Sequence, residues 1–309
     1  MKILVTGGAG FIASHVTDAF IDAGHDVVVV DDLSSGKREN LNPQGKFYQL
    51  DIQDPKIAEV FRQERPEVLC HHAAQMDVRK SVADPVFDAR VNLVGLLNLL
   101  ENGRQNGLRR VLFSSTGGAI YGEQDVFPCP ETHKTEPLSP YGIAKLASEK
   151  YMFFYRAQYG ISYAALRYAN VYGPRQNPHG EAGVVAIFTE KLLRGEQPTI
   201  NGDGKQSRDY VFVGDLVRAN VLALTSEYSG PLNLGTGIET NVNQLFAQLV
   251  KICNASASEQ HGPAKAGEQM RSVIDSALAK RVLGWEPRVR LEDGLRQTVD
   301  FFRARLAKS

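Results

Sequence analysis

The sequence predicts an α/β protein built on a doubly wound parallel sheet, with a smaller mixed α/β cap toward the C-terminus. Three observations carry this. Short apolar, β-branched runs alternate with amphipathic stretches through the first half of the chain, the pattern of strands buried between covering helices. A glycine-rich turn, Gly7-Gly8-Ala9-Gly10, joins the first such run to the first helical stretch. Beyond Asn170 the alternation loosens, and glycine, proline and asparagine accumulate.

Lys2 to Thr6 and Asp26 to Val30 flank a helical stretch from about Gly10 to Ala23 and complete a β-α-β unit. Further buried strands are expected at Phe47 to Leu50, Val68 to His71, Val111 to Ser114 and Ser162 to Leu166. Helices are expected at Pro55 to Glu64, Asp84 to Gln105 and Ser139 to Tyr159. Gly173 to Gly180 reads as a loop by composition. After it come a helix near Val184 to Arg194, a strand near Pro198 to Ile200, and helices near Asp215 to Leu224 and Val242 to Cys253. A last helix is expected from about Leu291 to Arg305, and no internal repeat is present. Residues 1–170 therefore read as the sheet domain and 171–309 mainly as the cap, with segments of the latter returning to the former. Ligands are expected between the cap and the carboxyl ends of the strands.

Composition excludes several classes. With 35 basic and 35 acidic residues the formal charge is zero, so there is no electrostatic case for nucleic acid or an anionic membrane. No apolar run reaches the roughly 18 residues of a membrane span, and Met1-Lys2 leads straight into a strand, so no leader peptide is expected. Cys70, Cys129 and Cys253 are scattered and form no C-x-x-C pair, as in a reduced cytoplasmic protein with structural cysteines. No metal is expected: adjacent His71 and His72 on a strand point to opposite faces.

Gly7, Gly10 and Ala13 keep the spacing of a Rossmann phosphate-binding turn, with Ala13 in the place of the third glycine. The first two positions let the backbone turn and approach a pyrophosphate held at a helix N-terminus. The third needs only a small side chain, which alanine supplies. Phe11 and Ile12 carry the turn into the helix and belong to the same cofactor cradle. Asp31 ends the second strand, where an acid accepts from a ribose 2′-hydroxyl and repels a 2′-phosphate, so NAD is expected rather than NADP. Asp32 competes for that role, although strand alternation points it elsewhere. Asp51 and Ile52, at the end of the third strand, fall where the adenine would lie.

Ser139 and Pro140 open a helix that puts Tyr141 in its first turn and Lys145 on the same face one turn on. A phenol of ordinary pKa, about 10, is no base near neutral pH. A nearby ammonium and an oxidised nicotinamide both favour the phenolate. The preceding strand ends in Ser114-Ser115-Thr116, and these three hydroxyls compete to hold a substrate oxygen against the tyrosine, Thr116 being the first choice. The set fits proton abstraction from an alcohol coupled to hydride transfer.

These residues together resemble the extended short-chain dehydrogenase/reductase family, and within it the nucleotide-sugar 4-epimerases acting on UDP-glucose or UDP-N-acetylglucosamine. Matching segments are Thr6 to Ile12, His72 to Ala74, Asn92, Ser115-Thr116, Tyr121-Gly122, Tyr141 with Lys145, Leu166 to Pro174, Arg208 to Val211 and Asn233 to Gly237. The resemblance implies that Ala73, Ala74, Asn92 and Tyr168 contact the cofactor, with Ser114 counted beside them. It implies that Asn170, Val184, Asn201 and Arg208 hold the nucleotide diphosphate. Three departures stand out: Ala13; the pair Gly117-Gly118, one residue longer than the family's stretch before Tyr-Gly; and Lys265-Ala-Gly-Glu268 in place of Arg-x-Gly-Asp. Lysine lacks the bidentate fork of arginine, so Lys265 and Arg271 both remain candidates for the diphosphate.

Family dehydratases carry Asp-Glu after the catalytic threonine, and sugar-acid decarboxylases a glutamate; Gly117-Gly118 supplies no such group. That favours epimerisation through a 4-keto sugar, with Thr116, Tyr141 and Lys145 as the catalytic set. A UDP-glucuronate 4-epimerase or 4-keto-sugar reductase is the alternative on the same scaffold, and a dinucleotide-sensing regulator the non-enzymatic one. Plain-hexose enzymes of the family close the sugar pocket with a tyrosine; counting from Lys265, Ser272 stands there, so N-acetylated sugars are expected as substrates. The resemblance also implies a homodimer through the helices at Asp84 to Gln105 and Ser139 to Tyr159. The apolar cluster Val91, Leu93, Val94, Leu96, Leu97, Leu99 and Leu100 is wide for a helix covering one core.

Overall fold

The computed structural model describes residues 1–179, 183–264 and 269–307. The first half alternates as its sequence pattern requires: β1 Lys2–Thr6, α1 Phe11–Asp22, β2 Asp26–Asp31, β3 Lys46–Gln49, α2 Ile57–Glu64, β4 Val68–His71, α3 Val78–Ala83, α4 Pro85–Ala89, α5 Gly95–Gln105, β5 Arg110–Thr116, α6 Pro140–Tyr159 and β6 Ser162–Tyr168. The second half adds β7 Asn170–Tyr172, α7 Val184–Leu193, β8 Ile200–Asn201, β9 Ser207–Phe212, α8 Val213–Thr225, β10 Gly230–Leu234, β11 Glu239–Asn241, α9 Val242–Cys253, β12 His261–Gly262, β13 Arg271–Ser272, α10 Ala277–Leu283 and α11 Leu291–Leu306.

The main sheet is parallel and has seven strands in the order β10-β6-β5-β4-β1-β2-β3. Chain order reverses between β1 and β4, which opens a crevice at their carboxyl ends, where ligands of such sheets bind. Alternation along each strand feeds two cores. Ile3, Val5, Cys70 and Leu112 meet Val16 and Phe20 of α1 and Leu216 and Ala219 of α8. Leu4, Leu69, Val111 and Phe113 meet Phe61 of α2, Leu100 of α5 and Met152 of α6. A four-stranded sheet joins β11, β9 and β13, with β7 on β9, and α7, α9 and α11 pack together beside it. No helix among the described residues is long and apolar enough to cross a membrane.

The expected strands of the first half are present, and three features differ from the sequence reading. Gly230–Leu234 supplies the seventh strand of the main sheet, and Ser207–Phe212 centres the smaller one; neither is among the expected strands, since proline, asparagine and charged residues interrupt their apolar runs. The helix expected at Asp84 to Gln105 is α4, a π-helical turn over Arg90–Val94, and α5 in succession. The apolar cluster on it divides. Leu96, Leu99 and Leu100 are fully buried in the core beneath the sheet, each contributing roughly 1.5–3 kcal/mol. Val94 is exposed, as are Val86 of α4 and Ile143, Tyr151 and Phe154 of α6.

Candidate active site

At the end of β1 the backbone turns at Gly7, whose φ of +73° favours glycine. Gly7 N donates to Val30 O over 2.8 Å and Gly10 N to Gly7 O over 2.9 Å, and α1 starts at Phe11. A Cβ at Gly7 would stand 2.7 Å from Ala73 N, so the turn and the loop after β4 meet in a cradle that no side chain could share. Helix N-terminal amides and a side-chain-free approach fit a dinucleotide pyrophosphate. Asp31 is buried at the end of β2; Oδ2 accepts from Ala9 N at 3.0 Å and Oδ1 from Leu33 N at 2.8 Å. Burial pushes its carboxyl above the ordinary value, and the two amide bonds pull the other way. Asp32 turns outward to cap Ser34, and Asp51 is occupied by Gln53 N at 2.8 Å in a turn. The Ile52 side chain lies in the core against Gly95.

Ser139 caps α6, accepting from Gly142 N at 3.2 Å, with Pro140 at the first helical position. This fixes Tyr141 in the first turn and Lys145 in the second. Lys145 is buried and donates through Nζ to Ser114 O at 2.8 Å; the same nitrogen lies 4.6 Å from the Phe113 ring centre and 5.7 Å from that of Tyr141. Burial lowers Lys145 to about 8, with Asp88 and Glu149 opposing. Burial, reinforced by Asp88, pushes the Tyr141 phenol up. The Lys145 ammonium is aimed at the Ser114 carbonyl, and burial of the phenol opposes the expected favouring of its phenolate.

The three hydroxyls at the end of β5 separate by alternation. Ser115 Oγ donates to Glu149 Oε1 at 2.7 Å, on the α6 side of the sheet. Glu149 is paired with Arg167, whose NH1 donates to Tyr121 OH at 2.8 Å; Tyr121 in turn donates to Asn233 Oδ1 at 2.6 Å. This buried network was missed in the sequence, because its members are spread from position 115 to 233. Ser114 and Thr116 share the opposite orientation. A Cβ at Gly118 would lie 3.9 Å from both Thr116 Oγ1 and Asn170 Oδ1, so the residue after Gly117 leaves open the space those two groups border.

Other expected contacts are spent inside the protein. Asn92, in the π turn, accepts from Gln75 N and donates to Gln75 O and Asp88 Oδ1, each at 2.9 Å, pinning the loop that holds Ala73 and Ala74. The Tyr168 hydroxyl accepts from Asn220 Nδ2 at 2.8 Å and lies 3.2 Å from His72 Nε2. Register places Asn170 beside Tyr210, and Ser272 beside Arg208, on one face of the smaller sheet. Ser272 is buried. Arg271 lies on the other face; it forks onto Glu239 and stacks 3.7 Å over the Phe127 ring. Val184 begins α7, and Asn201 sits on β8, away from that sheet. Lys265 lies outside the described residues.

A doubly wound sheet with a glycine cradle at its switch point and a tyrosine–lysine pair on the following helix defines a nicotinamide-dependent enzyme of the short-chain dehydrogenase/reductase class. Residues 3–235 match the model of the NAD dependent epimerase/dehydratase family, and the chain belongs to that family, with NAD as its cofactor. It is 52% identical to a UDP-glucose 4-epimerase of Thermotoga maritima solved with UDP-glucose (TM-score 0.97), covering 99% of this chain and 100% of that one. A Thermus thermophilus UDP-glucose 4-epimerase in complex with NAD is 44% identical (TM-score 0.94; 98% and 99% covered). A UDP-N-acetylglucosamine 4-epimerase of Methanobrevibacter ruminantium, in complex with UDP-N-acetylmuramic acid, is 34% identical (TM-score 0.93; 98% of each chain covered).

Proposed function

We propose that this protein is a UDP-hexose 4-epimerase that accepts N-acetylated sugars beside the plain ones. The observation that carries the reading is Lys145 seated on the Ser114 carbonyl at the end of β5, 5.7 Å from the Tyr141 ring centre, with Ser115 withdrawn to Glu149. Tyr141 takes the proton of the sugar 4-hydroxyl and later returns it. Thr116 holds that oxygen, and Lys145, through its charge, supports the phenolate. The chemistry NAD would supply in this site is reversible acceptance of a hydride from the sugar C4. Gly7, Gly10, Phe11, Ile12, Asp31, Ala73, Ala74 and Ser114 would line its site, with Asp51, Ile52, Asn92 and Tyr168 behind them.

Asn170, Arg208 and Ser272 share a face of the smaller sheet and would hold the diphosphate and hexose, with Val184, Asn201, Lys265 and Arg271 at the nucleotide end. Ser272 would leave beside C2 room that a tyrosine would fill, and steric exclusion discriminates more strongly than one attractive contact. The N-acetyl sugar in the M. ruminantium relative supports this reading. Residues 1–170 would form the NAD domain and 171–309 mainly the sugar cap, with β10 returning to the main sheet. The exposed stripe Ile143, Tyr151 and Phe154, with Val86 and Val94, favours a homodimer, and three free cysteines favour the cytoplasm. The test is to mix purified protein with UDP-galactose and, separately, UDP-GalNAc and resolve the products. Interconversion of both pairs is expected; turnover of UDP-galactose with none of UDP-GalNAc removes the N-acetyl reading, and turnover of neither removes both.

A further inference from the structure

Among the buried acids of the described residues that the chemistry above does not use, Asp88 alone has a buried carboxylate oxygen without a hydrogen-bond partner. Asp88, on α4, is 1% exposed. Its Oδ1 accepts from Gln75 Nε2 and Asn92 Nδ2, each at 2.9 Å, whereas its Oδ2 is buried without a hydrogen-bond partner. A buried carboxylate oxygen left bare requires a reason. The helix that bears it packs directly on α6, which carries Tyr141 and Lys145.

We propose that Asp88 is a positioning residue for the proton transfer: Oδ1 anchors the loop after β4, and Oδ2 is the fixed negative charge against which the Tyr141–Lys145 pair is set. The inference rests on the reading of Tyr141 as the base. A negative charge there favours the ammonium of Lys145 and disfavours the phenolate of Tyr141, and it acts in those directions on both groups. Of the remaining groups around the pair, Glu149 shares the effect on Lys145 but not that on Tyr141. Glu149, on α6 itself, is occupied by Arg167 and Ser115. From α3, Arg79 lies 3.9 Å from Asp77, and Lys80 lies over the Phe87 ring. From β4, His71 and His72 are pushed down by burial and by Lys145, and so are neutral. From β5 come the Ser114 carbonyl and the Thr116 hydroxyl. Asp88 thus balances the pair, keeping the ammonium charged in a site whose burial opposes charge.

Asp88→Asn separates the two roles, because the amide oxygen still accepts from Gln75 and Asn92 while the charge is gone. The measurement is the ultraviolet tyrosinate titration of the NAD-bound enzyme, each form paired with its Tyr141→Phe counterpart so that the difference isolates Tyr141. The Tyr141 midpoint is expected to fall by about one pH unit or more in Asp88→Asn; an unchanged or raised midpoint overturns the proposal. Asn92→Ala removes an anchor of the same loop but keeps the charge, and is expected to lower Tm without moving the midpoint. An equal shift in Asn92→Ala would mean that loop position, not charge, sets the titration. Asp88→Ser is a second neutral variant, for which the same fall is expected; failure of both neutral variants to fold overturns the charge role and leaves only the anchor. Absence of epimerase activity in the unmodified enzyme would sink the proposed function, while the titration would still decide the role of Asp88.

Discussion

Ser115 Oγ donates to Glu149 Oε1 over 2.7 Å, and the bond turns Ser115 away from the end of β5 where Thr116 stands. Three hydroxyls that are equivalent in the sequence are thereby sorted. Thr116→Ala should lower kcat by the equivalent of about 2–4 kcal/mol, by analogy with the loss of one oxyanion donor. Ser115→Ala should instead lower stability by about 1 kcal/mol and leave kcat within a few-fold of the unmodified enzyme. Steady-state kinetics beside thermal denaturation check both; a larger kcat loss in Ser115→Ala would reverse the assignment.

The buried position of Lys145 makes a stability prediction. Its pKa falls from 10.5 to about 8, so the folded state gives up the proton more readily than the unfolded chain. Below about 8 both states are charged and the full penalty, on the order of 3 kcal/mol, is present. As pH rises from 8 toward 10.5 the folded state alone loses its proton, so the penalty is relieved and stability rises. Lys145→Met, inactive, should therefore be more stable than the unmodified protein at pH 7, less the hydrogen bond to Ser114 O, with the advantage shrinking above pH 8. Chemical denaturation in excess NAD at the two pH values measures this. A less stable Lys145→Met at pH 7 contradicts it.

Much of this was legible in the sequence, for physical reasons. Strands buried on both faces must be continuously apolar, so β1, β2, β4 and β5 announce themselves; β10, with Pro231 and Asn233, does not, because Asn233 is retained for Tyr121 and the Cys129 carbonyl. The spacing of Tyr141 and Lys145 is local and readable. That Lys145 bonds the Ser114 carbonyl, or that Asn92 and Asp88 clamp Gln75, depends on main-chain groups and distant partners that carry no periodic signal.

Asp31 should make the enzyme select NAD, and Asp31→Ala should weaken that preference. Because Asp31 also bonds Ala9 N and Leu33 N, the variant should lose stability as well. Binding titrations with NAD and NADP are decisive; equal affinity of the unmodified protein for the two removes Asp31 from its role.

The exposed apolar stripe is the ground for a prediction on assembly. Val94 is 53% exposed and Phe154 47% exposed. Sedimentation at micromolar concentration should give a dimer for the unmodified chain and a monomer for Val94→Glu with Phe154→Glu. A monomeric unmodified chain counts against the dimer.

Tyr141→Phe isolates the proposed role of the Tyr141 phenol as base, since it removes one oxygen and no phosphate contact. The measurement is conversion of UDP-galactose by Tyr141→Phe alongside quantitation of its bound NAD. Activity should vanish while NAD remains bound. Retention of more than a few per cent of the unmodified rate, with NAD still in place, would contradict the account.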